Sequence, residues 1–262
     1  MSHRVREGFA LLVSSCLLLI SCGGANPNAG TKTANLAGNW QMTLQRQNTT
    51  GTKTESGFLV QSGNSLTGEF LLNGATNCAG VGSASGQISG SNVAISVSQV
   101  GQTVNLTGAM GTTPSSINGN YSILAAPCGS NQVGTWTATQ VQPFSGNFQG
   151  TFTSTLSSGL VFSFSGTVTQ GANMGTSSAS LTGNVTSTNA PCFTTANLQG
   201  SISGTSIVLN LLSAEGTTLG QIHGTTSANV STTNALYDFL NSQPSPLNGC
   251  QDYGTAVLTL TQ

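Results

Sequence analysis

Two stretches of this chain lie on one another without a gap. SGQISGSNVAISV at 85–97 matches QGSISGTSIVLNL at 199–211. SLTGEF at 65–70 matches SLTGNV at 180–185, and GNW at 38–40 matches GNF at 146–148. The matches keep one order, so the chain is an internal duplication with a period of about 110 residues. Each copy has the usual size of one domain. The joint falls at QVQPFSG, 140–146, where Pro143 punctuates the chain. Whatever fold one copy adopts, the other must be able to adopt.

Inside each copy the apolar residues alternate. Trp40, Met42 and Leu44 share one face, as do Val104, Leu106 and Met110, and Leu160, Phe162, Phe164 and Val168. Period-two alternation bounded by Gly, Asn and Ser is the mark of a strand with one buried and one wet face. Thr and Val suit such a half-buried pleat. Copy one parses into eight short strands beginning near Trp40, Phe58, Leu66, Val81, Val93, Val104, Ile117 and Trp136. Short local turns make sequential strands antiparallel neighbours. Closing eight of them into an up-and-down barrel removes exposed edges and leaves room for side chains or one small ligand. The predicted fold is therefore all-β, with two antiparallel eight-stranded barrels over 36–141 and 144–262. A pair of β-sandwiches is the alternative. LAGNW, with Gly38 and Trp40 opening the first strand, resembles the Gly-x-Trp start of lipocalins and their calycin relatives. That resemblance implies a lipocalin-like barrel; copy two carries Phe148 in place of the Trp.

The N-terminus reads differently. Arg4 and Arg6 precede FALLVSSCLLLI, an apolar run too short for the roughly 20 residues of a membrane-spanning helix. A basic start, a short apolar run and small residues at its end form a secretory signal. Leu19-Ile20-Ser21-Cys22 resembles the bacterial lipobox. The resemblance implies cleavage before Cys22, residues 1–21 as the signal peptide, diacylation on the Cys22 sulfur and 22–35 as a tether. Several acyl chains, at about 0.8 kcal/mol per buried methylene, hold a protein on a membrane where one chain does not. A second match at Val13-Ser14-Ser15-Cys16 leaves too few apolar residues before it. Gly23, where an Asp would signal retention at the inner membrane, implies the outer membrane of a bacterial envelope.

Beyond residue 21 the cations are Lys32, Arg46 and Lys53 and the acids Glu55, Glu69, Glu215, Asp238 and Asp252, a net charge of −2. No Lys or Arg follows Phe144. Nucleic-acid binding needs clustered cations to release counterions, so it is not expected.

The cysteines complete the account. Cys16 leaves with the signal peptide and Cys22 takes lipid, so Cys78, Cys128, Cys192 and Cys250 remain. An exported chain can hold disulfides. Cys78 and Cys192 follow the SLTG strand in their copies, and Cys128 and Cys250 precede the last strand. The duplication therefore predicts Cys78–Cys128 and Cys192–Cys250, each worth roughly 4 kcal/mol in the chain-entropy treatment of a long loop. No Cys-x-x-Cys occurs and His223 is the one histidine past residue 21, so no metal site is expected.

Catalytic chemistry is equally thin. His223 faces outward on the alternation in QIHGTT, no Gly-x-Ser-x-Gly elbow occurs, and GVGSASG at 80–86 lacks dinucleotide-binding spacing. No pair of acids recurs in both copies as a duplicated glycosidase centre would require. Trp40 and Trp136 are expected inside the barrel, on neighbouring first and last strands. Copy two is longer before its last cysteine, by LYDFLNSQPSPLNG, expected as a packed loop. The expectation is a non-enzymatic, cofactor-free envelope lipoprotein held to the membrane through Cys22, binding a small apolar ligand or a glycan. The alternative is a structural or adhesion module with filled cores. A pocket of about 300 Å³ or more separates the two.

Overall fold

The computed structural model describes residues 34–72, 79–112, 115–125, 131–173, 175–239 and 251–261. The signal, lipobox and tether expectations therefore lie outside the described residues, apart from the last two tether positions. All regular structure among the described residues is strand. The first eight are β1 (Gly38–Arg46), β2 (Thr52–Ser62), β3 (Ser65–Leu72), β4 (Gly80–Ser89), β5 (Asn92–Gln99), β6 (Gln102–Met110), β7 (Ser116–Ala125) and β8 (Gln132–Val141). The second eight are β9 (Gly146–Ser154), β10 (Val161–Gln170), β11 (Ala179–Ser187), β12 (Thr195–Ser203), β13 (Ser206–Leu212), β14 (Thr218–Thr226), β15 (Thr232–Phe239) and β16 (Asp252–Thr261). Each set runs up and down and closes on itself, β1 pairing with β8 and β9 with β16. The two antiparallel barrels replace the sandwich alternative, and no sheet edge is left unpaired in either.

Register makes the duplication concrete. Trp40 faces Gly57 and Phe148 faces Gly166. Tyr121 faces Gly134 and Tyr237 faces Gly254. The glycines are steric necessities: a Cβ on Gly57 would sit 2.1 Å from the Glu69 carbonyl oxygen, and one on Gly166 2.0 Å from that of Asn184. Such bare positions let strands of a small barrel approach and bend over bulky neighbours. Strand alternation fills each interior. Trp40, Met42, Leu44, Phe70 and Trp136 occupy barrel 1, and Phe148, Phe152, Phe162, Phe164, Tyr237 and Phe239 occupy barrel 2, all buried.

Two boundaries differ from expectation. The second strand begins at Thr52, not near Phe58, because Thr52–Ser56 is polar and offers no apolar alternation to read. Phe58 faces Asn39 and points away from its own barrel; it is buried with Val141 and Phe144 against the core of barrel 2. Leu236–Phe239, expected in the long loop, are the end of β15, with Tyr237 and Phe239 buried on its inner face. Residues 240–250 lie outside the described residues.

The barrels share a polar seam beside Phe58. The Asn39 amide donates to the Gly204 carbonyl at 2.7 Å and accepts from the Gly204 N–H at 2.7 Å. The Gln41 carbonyl oxygen accepts from Thr205 N–H at 3.0 Å, and Ser56 and Ser203 hydroxyls meet at 2.8 Å. Gly204 turns the β12–β13 hairpin at φ +56°, and a Cβ there would fall 2.3 Å from Gln41 Oε1. The seam needs glycine on both counts.

Candidate functional site

The residues named from sequence fall into three groups. Cys22, Cys78, Cys128 and Cys250 lie outside the described residues. Cys192 is buried in the segment between β11 and β12 and is disulfide-bonded, to a partner outside the described residues. His223 sits on the outer face of β14, exposed, opposite Val208 and Leu236. Among the described residues no three His, Cys, Asp or Glu side chains could share a metal ion, at His223 or elsewhere. Trp40 and Trp136 are inside barrel 1, each 1% exposed. Their indole N–H groups donate to the carbonyls of Leu36 at 2.8 Å and Thr107 at 3.1 Å. They are packed and satisfied, as core residues are.

The two ends of a barrel are not alike. In an up-and-down barrel the C-termini of odd strands and the N-termini of even strands share one rim. In barrel 1 that rim gathers the ends of β1, β3, β5 and β7, and in barrel 2 those of β9, β11, β13 and β15. Just inside the rim of barrel 2 lies Asp252, 3% exposed. Ser154 Oγ donates to its Oδ1 at 2.5 Å and Tyr237 OH to its Oδ2 at 2.8 Å. Burial first, then the hydrogen bond its hydroxyl donates to Asp252, raises the Tyr237 phenol well above its usual range. Below this cap the rings close up: Phe152 stacks on Phe164 at 4.0 Å and meets Tyr237 edge-on at 4.7 Å. A buried acid with both oxygens hydrogen-bonded plugs this end structurally.

Barrel 1 places other chemistry at the equivalent positions. Glu55 stands opposite Met42, where barrel 2 has Phe164 opposite Gly150. Lys53 stands where barrel 2 has Phe162, and Arg46 where it has Ser154. Glu55 is 3% exposed and its Oε2 has no hydrogen-bond partner. Desolvation raises its pKa to about 7, with Lys53 pulling the other way. Tyr121, the counterpart of Tyr237, is also raised, first by burial and then through Glu55, with Arg46 opposing. Such an orphaned buried acid asks for an explanation that a satisfied one does not. Sequence reading missed it because the strand was begun at Phe58; running the alternation back from Leu59 through Gly57 puts Glu55 inside.

Of the surface depressions, one lies away from these ends and one reaches the Glu55 end of barrel 1. One of about 670 Å³ is lined by Gln149, Thr151, Ser163, Ser165 and Thr186 on the outer wall of barrel 2. Another, of about 770 Å³, follows the β1–β2 turn of barrel 1 and reaches Tyr121 and Arg46. Both have the volume of a small-ligand pocket, about 300–1,000 Å³, but both are open to solvent and neither is a barrel interior.

No protein-family model and no curated protein matches the chain. A solved structure, kievitone hydratase from Nectria haematococca, is similar over 86% of this chain and 89% of its own at 10% identity and a TM-score of 0.25. At that TM-score the likeness carries no argument, and the barrel assignment rests on the closed strand pairing described above.

Proposed function

We propose that this is a lipid-anchored protein of the bacterial envelope whose two barrels form a non-enzymatic structural or adhesion module. The observation that supports it is the filling of both interiors by large side chains at 0–5% exposure, among them Trp40, Trp136, Phe152 and Phe239. A barrel that carries an apolar ligand keeps that volume free. The glycan reading retains one support, the hydroxyl- and amide-lined depression on the outer wall of barrel 2. The anchor is Cys22 and the outer membrane its destination. The disulfides are Cys78–Cys128 and Cys192–Cys250, a pairing supported by the one rim at which β3 and β7 end and β4 and β8 begin, and by the same order of strand ends in barrel 2.

Titration with a fluorescent fatty acid tests the filled-core reading. No saturable binding and no quenching of Trp40 or Trp136 is expected; saturable quenching of tryptophan emission would overturn it. Metabolic labelling tests the anchor, with fatty acid incorporated into the wild-type chain and absent from Cys22→Ser. Labelling retained in that variant would move the acylation site elsewhere.

A further inference from the structure

Exposed aliphatic side chains are not spread evenly over barrel 1. Among the described residues its large exposed hydrophobics are Val60, Leu71, Val81, Val100, Leu124 and Val133. Scattered singly, such residues need no explanation. Five of these six, however, stand at one level. Leu71 is next to the end of β3, Val81 is second in β4, Val100 is in the β5–β6 turn, Leu124 is next to the end of β7, and Val133 is second in β8. By strand topology all belong to one rim, the end that also holds Glu55. Val100 is 91% exposed, the most of any large hydrophobic side chain described.

The two remaining strands complete the ring with charge. Arg46 ends β1 and Lys53 is second in β2, and both are exposed. They are the only Lys or Arg among the described residues. The acids of barrel 1 do not neutralise this edge from outside: Glu55 is buried within, and Glu69 is half-buried in the middle of β3. The rim is therefore a collar of aliphatic side chains with two cations and no exposed carboxylate.

We propose that this rim of barrel 1 seats on an anionic lipid surface. A ring of apolar side chains at one height around a barrel tip is complementary to a plane, because a plane meets every strand at once. A protein partner covering one side of the barrel would leave the far half of the ring exposed. Aliphatic side chains enter the headgroup boundary, while Arg and Lys reach anionic headgroups over their long stems. The corresponding rim of barrel 2 supplies the contrast, with Leu156, Leu160, Val161 and Tyr253 exposed but no cation beside them. The proposal extends the envelope reading without needing the anchor. The compact unit Thr33–Gln262 holds both closed barrels with their own cores and lacks Cys22.

Flotation of this unit with vesicles of equal parts phosphatidylcholine and phosphatidylglycerol is the test. The unit should float with them and be released as salt rises. Arg46→Gln and Lys53→Gln should each weaken binding about fivefold. Val100→Asp and Leu124→Asp should weaken it at least about tenfold, since each keeps a former apolar contact in water. Near-UV circular dichroism checks that these surface variants stay folded. Leu156→Asp, on the other rim, should bind as before. Absence of flotation, or binding lost in Leu156→Asp and kept in Val100→Asp, overturns the proposal. So does self-association without lipid that Val100→Asp abolishes, which would give the rim to a second copy. None of these outcomes touches acylation at Cys22, so the failure of one reading is not mistaken for failure of the other.

Discussion

Barrel 1 and barrel 2 share strand number, closure and register, yet their equivalent ends hold opposite kinds of interior. Barrel 2 has Phe162 and Phe164 beneath an Asp252 whose two oxygens take hydrogen bonds from Ser154 and Tyr237. Barrel 1 has Lys53 and Glu55 at the same two positions, and Glu55 Oε2 takes none. The glycines and aliphatic positions that close the barrel are common to both copies, so the fold does not need the end of the barrel to be any particular chemistry. What differs between the copies is therefore not set by barrel closure, and in barrel 1 it leaves a buried acid with a raised pKa.

The sharpest way to break the comparison is to open the packed end. Phe152 is fully buried, stacks on Phe164 and packs against Phe162, Tyr237 and Phe239. Phe152→Ala should lower the stability of barrel 2 by about 3–5 kcal/mol through lost transfer energy and the cavity left behind. Denaturant unfolding followed by tyrosine and tryptophan emission reads it, and a loss below about 1 kcal/mol would mean that the end is loosely packed.

The responsive end should give a pH-dependent effect of slightly smaller size. The folded-state pKa of Glu55 is raised from 4.5 to about 7, so the fold favours the protonated acid. Its contribution is fully present below pH 4.5 and is lost as pH climbs through about 7. The whole swing is about 3 kcal/mol. Glu55→Gln should flatten the fall in barrel 1, and barrel 2, with Phe164 there, should show none of it. Equal slopes in both barrels would erase the distinction.

Tyr237→Phe is the smallest of the three. It leaves Asp252 Oδ2 buried without its donor, at about 1.5–3 kcal/mol for a hydrogen bond to a charged acceptor. Tyr121→Phe, which removes no such bond, should change stability less; the reverse order would contradict the pairing described here.

Much of this architecture was readable from residues alone, for a physical reason. A barrel interior is written as period-two alternation, and the duplication doubles every signal, so Trp40, Leu66, Val93 and Val104 each identify a strand. The same logic explains what was hidden. Thr52–Ser56 belongs to β2, but the positions in step with its inner face are Lys53, which is exposed at the rim, and the buried Glu55, and charged residues cannot announce an inner face. Phe58 drew the start of the strand too late, because an apolar side chain buried by the second barrel looks like any core residue. The seam of Asn39, Gln41 and Gly204 left no mark either, since amide side chains in a chain so rich in Asn, Gln, Ser and Thr look like any wet strand face. Register, which the sequence does not carry, was needed to place all three.

The central claim is that the two copies close on one register and that barrel 1 alone carries a buried, unpartnered acid at its end. Carbon-13 NMR of the glutamate carboxyls across a pH titration tests it most directly. Glu55 should titrate near pH 7, above the 4.5 of an ordinary glutamate, and its resonance should vanish in Glu55→Gln. A Glu55 resonance titrating at 4.5 would place the carboxyl in water and contradict the account.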